Sequence, residues 1–310
     1  MRDLLLSVVI ANYNYGRYLK DAIESVTLQD MGDKVELIIC DAASTDNSVE
    51  VIKNYANGLP SNTSYSDWVA SHPSLATNNQ LLTTKITWWC SEKDGGQSAA
   101  FNKGFLHSQG RFLTWLNADD VLMPGALKAF EKAVAAYPDC KWFVGGALWL
   151  DKLLRVVKCG CGRKFSAARA NMGNVHVWGP SSFFSRDLYE QAGGVDERFF
   201  YMMDTDLWSK FYHQCHEVYM PFVDYAWGLR LHEQAKMSAH NFAESGQANP
   251  DHPKWAQIEK EKRIIEEEVF APKRRMGLLS KILTSEFCKA LKSRIDSFRF
   301  RGKDYRDCVK

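Results

Sequence analysis

The chain has no Gly-x-Gly-x-x-Gly after its first apolar run and no Gly-x-x-x-x-Gly-Lys-Ser/Thr anywhere. Both motifs cradle phosphate with backbone amides, so dinucleotide and P-loop binding by that route are unsupported. No apolar run reaches 18 residues, which leaves no transmembrane helix to read from hydropathy. There is no internal repeat and no low-complexity stretch. No secretory signal is expected ahead of the first strand, because Leu4 to Ile10 leads straight into fold-like sequence. The 8 cysteines are scattered, several of them in apolar runs, and reduced thiols in a cytosolic chain are expected. Cys159-Gly-Cys161 and His213-Gln-Cys215-His216 lack a second ligand pair at a zinc-site spacing. They read as loop and helix-end residues.

What is present points to a globular α/β chain. Its 310 residues fit one large α/β domain with a tail, or two domains. Hydrophobic residues make up 45% and aromatics 13%, enough for a sizeable core and too much for a mainly disordered chain. The formal net charge of +2 hides an asymmetry. Residues 273–310 carry 12 Lys/Arg against 4 Asp/Glu, or +8, which leaves −6 on the residues before them. A uniformly basic nucleic-acid binder has no such division, and no nucleic-acid partner is expected.

The first half alternates strand and helix signals. Residues 5–10 form a short, nearly all-apolar run, as in a strand covered on both faces. Leu19, Ala22, Ile23 and Val26 have helical spacing, and residues 35–40 form a second buried strand. Ser44 is the expected N-cap of the next helix, with Asn47 three positions on. Residues 57–84 are polar and read as a long surface loop or insertion. Strand character resumes at 86–90, 111–116, 141–149 and 155–158, with helices at 97–107 and 124–137, the latter with Pro124 in its first turn. This order implies a mostly parallel sheet with helices on both faces.

In such a sheet, ligands bind beyond the carboxyl ends of the strands. Four strand ends carry polar clusters: Asn12-Tyr-Asn14, Asp41-Ala-Ala-Ser-Thr-Asp46, Glu92-Lys-Asp94-Gly-Gly-Gln97 and Asn117-Ala-Asp119-Asp120. All four are expected to line one crevice. Turns are commonly built from Asp, Asn and Gly, so any one cluster alone is unremarkable. With no amide cradle, a diphosphate can be held by a hard divalent cation, which takes one or two carboxylates plus phosphate oxygens and water. Asp119-Asp120 supplies such carboxylates. A second acidic group, Asp204-Thr-Asp206, stands at a helix start anchored by Leu207 and Trp208. One of the two would serve as a general base, and the other reads as a helix-terminus acid.

These residues carry a resemblance. The chain resembles the family 2 glycosyltransferases of the GT-A fold, and within them the bacterial branch that makes polysaccharides such as capsule, O-antigen or colanic acid. The matching segments are Ser7-Val-Val-Ile-Ala-Asn-Tyr-Asn14, Asp41-Ala-Ala-Ser-Thr-Asp46, Ser91-Glu-Lys-Asp-Gly-Gly-Gln97, Asn102-Lys-Gly104, Trp115-Leu-Asn-Ala-Asp-Asp120, Gly194-Val-Asp-Glu197, Asp204-Thr-Asp-Leu-Trp208 and Arg230-Leu-His232. They occur in order over roughly residues 4 to 240. The resemblance implies a nucleotide-sugar transferase domain over 1–240, its donor-binding half at 1–120 and its acceptor half at 121–240, followed by a helical, basic extension at 241–310.

It also implies roles. Asp41 would contact the nucleobase, and Ala11, Asn12 and Asn14 would wall base and ribose. Asp94 would lie against the nucleoside, with Gln97 and Lys103 near the donor. Asn117, Asp119 and Asp120 would bracket ribose, sugar and metal, Asp120 and Asp119 binding Mg²⁺ or Mn²⁺ with His232 as a further ligand. Asp204 would be the base and Asp206 its rival. Two departures stand out: Asn117 replaces the usual Asp of the acidic turn, and Met203 replaces the Glu before Asp204.

The implied activity is inverting transfer from a nucleotide sugar to a glycan or lipid-linked glycan hydroxyl. A sugar nucleotidyltransferase and a non-catalytic nucleotide-sugar binding module are the alternatives. The former would need a Gly-rich basic loop where Ala11-Asn-Tyr-Asn-Tyr-Gly16 stands. In the tail, Leu279, Ile282, Leu283, Phe287, Leu291, Ile295 and Phe298 recur at helical spacing among lysines and arginines. Such a helix suits peripheral contact with an anionic membrane, packing on the catalytic domain, or a second subunit in a homo-oligomer.

Overall fold

The computed structural model describes residues 4–58, 84–160, 177, 179–214, 225–236 and 253–270. In chain order the elements are β1 (Leu6–Asn12), α1 (Gly16–Thr27), β2 (Val35–Asp41), α2 (Ser48–Ala56), β3 (Lys85–Ser91), α3 (Gln97–Leu106) and β4 (Phe112–Asn117). There follow β5 (Val121–Leu122), α4 (Ala126–Ala136), β6 (Trp142–Val144), β7 (Ala147–Leu150), β8 (Val156–Gly160) and β9 (Ser182–Ser185). The last are α5 (Arg186–Gln191), α6 (Met203–Gln214), β10 (Trp227–Arg230) and α7 (Pro253–Ile265), which continues into one π-helical stretch, Glu266–Phe270.

The central sheet has the order β3-β2-β1-β4-β9-β6. Strands β3, β2, β1 and β4 are parallel, and β9 is antiparallel to both β4 and β6. The expected mostly parallel α/β sheet is therefore present, in a GT-A arrangement. Its strands are apolar on both faces because each face has its own core. Leu6, Val8 and Ile10 of β1, Leu37 and Ile39 of β2, and Phe112 and Leu116 of β4 meet α1, α2 and α4. Val9, Ile38, Cys40, Leu113 and Trp115 point the other way, onto α3, α5, α6 and Ile265 of α7. The pleat's period of two does the sorting.

A second sheet, β5-β10-β7-β8, adjoins the first. Its strands are short, and β5 follows the acidic turn directly. The run expected as one strand over 141–149 is divided: β6 belongs to the central sheet and β7 to the second, with Gly145-Gly146 between them. Three other expectations change. Ser44 does not cap α2; Asn47 holds that position, without a side-chain cap bond. Pro124 precedes α4, which starts after Gly125 in the left-handed region (φ 77°). Cys159 is a buried core residue of β8 rather than a loop residue. Cys40, Cys90, Cys140 and Cys159 form no disulfide. Cys161, Cys215, His216, the basic stretch 273–310 and nearly all of the polar 57–84 segment lie outside the described residues. Among the described residues no helix is long and apolar enough to cross a membrane.

The sheet order places the topological switch between β1 and β4, since the chain moves outward through β2 and β3 and returns to the far side of β1. Close packing of α3 makes this possible. A Cβ on Gly104 would lie 2.3 Å from Val9 Cγ1 and 3.3 Å from Cys40 Sγ. Gly104→Ala should therefore destabilise the protein by roughly 1–3 kcal/mol, through overpacking against the central strands. Equilibrium urea unfolding checks this, and an unchanged midpoint would contradict it.

Candidate active site

A cavity of about 900 Å³ opens over the carboxyl ends of β1 and β4. Its walls include Ala11 and Asn12, the turn residues Ala42, Ala43 and Thr45, then Asp94 and Gln97, the run Asn117 to Asp120, and Asp204. The four strand-end clusters thus share one crevice. Asn14, Asp41, Lys103, Asp206 and His232 are not among its lining residues.

Asp41 sits opposite Asn12 in the β1–β2 register and is 1% exposed. Its carboxylate accepts four hydrogen bonds: from Asn12 Nδ2 (2.6 Å), Ser44 Oγ (2.5 Å), Ser44 N (3.0 Å) and Ser91 Oγ (2.6 Å). That fills the acceptor capacity of a carboxylate. Asp41 therefore closes the 42–44 turn and presents Ala42 and Ala43 to the crevice. Asn14 is in the left-handed region (φ 57°), which an Asn tolerates. Its Oδ1 accepts from Thr45 N at 2.8 Å. Asn12 Oδ1 is buried without a partner, an acceptor left available where the cavity wall begins. On α3, Gln97 lines the cavity, whereas Lys103 pairs with Glu92 at 3.1 Å.

The acidic turn is held from the second sheet. Strand β10 pairs with β5, which lays residues 230–232 beside Asp119 and Asp120. Asp120 Oδ1 accepts from Arg230 N (3.0 Å), and its Oδ2 from Asn117 Nδ2 (2.7 Å). His232 Nε2 lies 3.0 Å from Asp119 Oδ2, and its Nδ1 has no partner. The imidazole is walled by Tyr18 (ring centroids 4.5 Å apart) and Tyr15 (5.7 Å). Burial, and then the Asp119 charge, push the Asp120 carboxyl well above the usual carboxylate range.

Asp204 and Asp206 share the first turn of α6 but not their surroundings. Asp204 lines the cavity, and burial raises its carboxyl above the ordinary value. Asp206 is 2% exposed and forms an ion pair with Lys210 Nζ at 2.6 Å. The geometry separates the two: Asp204 is open to the crevice, and Asp206 is committed to the helix.

Lys236 escapes a reading of the sequence. It is a single lysine in a polar stretch, with no motif around it. Its Nζ donates to Gln97 Oε1 (2.8 Å) and lies 4.0 Å from the Phe200 ring centre. Gln97 Nε2 in turn donates to Asn117 Oδ1 (2.7 Å), so a chain of hydrogen bonds runs Lys236, Gln97, Asn117, Asp120. Burial pulls the ammonium down to about 8, against the opposing pull of Asp204 and Glu261. The chain accounts for Asn rather than an ionised Asp at 117, because the amide accepts from Gln97 and donates to Asp120 together, whereas a carboxylate only accepts.

The family profile described as "Glycosyl transferase family 2" matches residues 7–67 and 86–191, more than half of the chain. The chain belongs to glycosyl transferase family 2. Over 123 residues it is 36% identical to an uncharacterized glycosyltransferase of Nostoc sp., a stretch covering 40% of this chain and 30% of that one. It is 28% identical over 123 residues to the minor teichoic acid biosynthesis protein GgaB of Bacillus subtilis, covering 39% and 11%. The matching stretch thus spans less than a third of either relative. Among solved structures, Staphylococcus aureus TarS 1–349 in complex with UDP-GlcNAc superposes with a TM-score of 0.59 at 14% identity, covering 95% of this chain and 75% of that chain. The mannosyltransferase PcManGT of Pyrobaculum calidifontis, in complex with GDP-Man and Mn²⁺, gives 0.50 at 14% identity, covering 94% and 86%. At such identities the likeness is one of fold, and it extends beyond the family match into the chain's second half.

Among the described residues no three His, Cys, Asp or Glu side chains form a preformed metal cage. The donor set nonetheless fits a hard cation completed by substrate oxygens, since it puts two adjacent buried carboxylates beside an imidazole that lies 3.0 Å from one of them. Asn117→Asp would add a third carboxylate and remove the Nδ2 donor. In metal-free buffer it should destabilise the protein by roughly 1–3 kcal/mol through the lost buried hydrogen bond and added repulsion. Mn²⁺ should restore part of the loss. Thermal melts with and without Mn²⁺ decide, and a variant as stable as wild type without metal would refute the relay.

Proposed function

We propose that this family 2 enzyme is an inverting glycosyltransferase that uses a nucleotide-sugar donor and a hydroxyl of a glycan or lipid-linked glycan acceptor, in the synthesis of bacterial surface polysaccharide. The observation that carries the reading is Asp204, a cavity-lining carboxylate separate from the Asn117–Asp120 turn yet opening on the same crevice. The names of similar proteins agree with it: GgaB is a teichoic acid biosynthesis protein, and the TarS and PcManGT structures hold UDP-GlcNAc and GDP-Man.

In this reading the nucleoside rests against Ala11, Asn12, Asp94 and the turn that Asp41 closes. Asp119 and Asp120, with His232 beside them, would hold Mg²⁺ or Mn²⁺, which supplies charge neutralisation for the diphosphate. Gln97 and Asn117 orient the acidic turn. Lys236, fully protonated below its lowered pKa, adds a positive charge on the leaving-group side. Asp204 accepts the proton of the acceptor hydroxyl as that oxygen bonds to the anomeric carbon. The bond from that carbon to the phosphate oxygen breaks, and its electron pair leaves with the diphosphate. Attack from the face opposite the diphosphate inverts the centre in one displacement. Asp206, paired with Lys210, takes no part. The basic residues of 273–310 would bring the enzyme to an anionic membrane surface that carries the acceptor.

Asp204→Asn is expected to lower kcat by about 10²-fold or more while nucleotide binding survives. Single-turnover transfer and nucleotide titration test this, and normal turnover would remove Asp204 as the base. The pH profile of kcat/KM should be bell-shaped. Asp204 must be ionised, so its raised pKa sets the acid limb above the ordinary carboxylate range. Lys236 must be charged, and that charge is lost as pH rises past about 8. Lys236→Met should lower the plateau and abolish the basic limb; a limb that stays in place would assign it to another group.

A further inference from the structure

The turn just before Asp204 is held from outside the family-matched segment. Glu261 lies on α7, 1% exposed, near the end of the described chain. Its Oε1 accepts from Phe200 N (3.0 Å), and its Oε2 accepts from Tyr201 N (2.9 Å) and Met202 N (2.8 Å). Three successive amides thus converge on one carboxylate. Gln257, one helical turn earlier, donates to Oε1 at 2.7 Å and orients it. Burial alone would raise the Glu261 carboxyl, but these donors outweigh it and hold it below its usual range.

Two further contacts tie the same turn to the same element. Arg198 bridges Asp196 (2.7 Å) and Glu268 (2.8 Å), the latter one stretch beyond α7. Ile265 packs into the core that also holds Phe199, Met203 and Trp208. The turn carries Phe200 and Tyr201 into the cavity wall and delivers Met203 and Asp204 to the start of α6. Backbone amides at a helix entry need partners, and here a distant carboxylate supplies them in place of a local cap.

We propose that Glu261 is a positioning residue for sugar transfer: its grip on the amides of residues 200–202 fixes where the Asp204 carboxylate enters the crevice. This rests on reading Asp204 as the base. The hydrogen-bond partners of Glu261 named above, residues 200–202 and Gln257, are on none of β1, β2 and β4, so the nucleoside contacts of those strands should not depend on it; its charge reaches the donor side only through Lys236.

The test uses the full chain and compares wild type, Glu261→Gln, Gln257→Leu and Asp204→Asn. The Gln at 261 keeps the shape but leaves one carbonyl oxygen where two carboxylate oxygens served three amides and Gln257. A displacement of the base by about 1 Å is enough to cost on the order of 10²-fold. Glu261→Gln should therefore lose about 10- to 100-fold in kcat. The binding stoichiometry, read by calorimetry, should stay at the wild-type value, and the nucleotide Kd should change far less than kcat. Gln257→Leu, which removes one neutral donor from the carboxylate, should show the same pattern at smaller size and decides the matter should Glu261→Gln not fold. Wild-type kcat in the folded variants overturns the proposal. So does a kcat loss accompanied by an equal loss of nucleotide-binding stoichiometry, which would mark a general loss of structure. Asp204→Asn separates the two ideas: normal turnover there removes the base assignment itself, whereas an inactive Asp204→Asn beside a fully active Glu261→Gln removes only the role of Glu261.

Discussion

Trp115 and Trp208 lie face to face, 5.2 Å apart and 6° from parallel, and the two chemical halves of the crevice depend on that contact. Trp115 is two residues before the turn that begins at Asn117, and Trp208 is one helical turn after Asp204. Phe101 stacks on Trp115 at 5.1 Å, and Trp142 on Trp208 at 5.4 Å. The series joins α3, β4, α6 and β6 across one core. Each aromatic pair adds about 0.5–1.5 kcal/mol beyond its buried area. The geometric effect matters more here: large rigid side chains leave α6 little freedom to slide along the sheet, so the spacing between the acidic turn and Asp204 is set by packing.

Around that rigid centre the polar residues divide into two kinds. Asp41, Asn102 and Glu261 are hubs whose hydrogen-bonding capacity is spent on the protein. Asn102 accepts from Tyr189 Oη (2.6 Å) and Val195 N (3.0 Å), and donates to Val195 O (2.8 Å). Asn12, Asp119 and Asp204 line the cavity and carry less complete sets of partners. Buried polar groups are costly unless paired, so the hubs stiffen the frame while the second kind leaves capacity for substrate. Glu261 apart, both kinds are Asp and Asn residues at motif positions.

That is why the sequence told so much about the fold and less about the division of labour. Apolar runs covered on both faces identify β1, β2 and β4 because a parallel sheet buries both sides, and the strand-end rule then gathers Asn12, Gln97 and Asn117–Asp120. The short strands β5, β9 and β10 were not legible. Two to four residues carry no period, and their pairing is decided by partners far along the chain. Asp41 and Asp94 look alike as acids after a strand, yet Asp41 is saturated by four donors and only Asp94 reaches the cavity. Asp206 was the rival of Asp204 in the sequence; in the structure Asp206 pairs with Lys210, and of the two only Asp204 lines the cavity. Lys236 and Glu261 had no local signature at all, since what distinguishes them is who meets them in space.

The sorting of β1, β2 and β4 between two cores limits how such a chain can change. Alternate residues of each strand serve opposite layers, so a one-residue slip of β1 would send Leu6, Val8 and Ile10 to the layer built for Val9, and the reverse. The central strands can drift in composition, one apolar side chain for another, but not in length. Insertions and deletions are tolerated only between elements. In this fold those intervals include the turns that line the crevice, so the same constraint that freezes the sheet concentrates variation around the cavity.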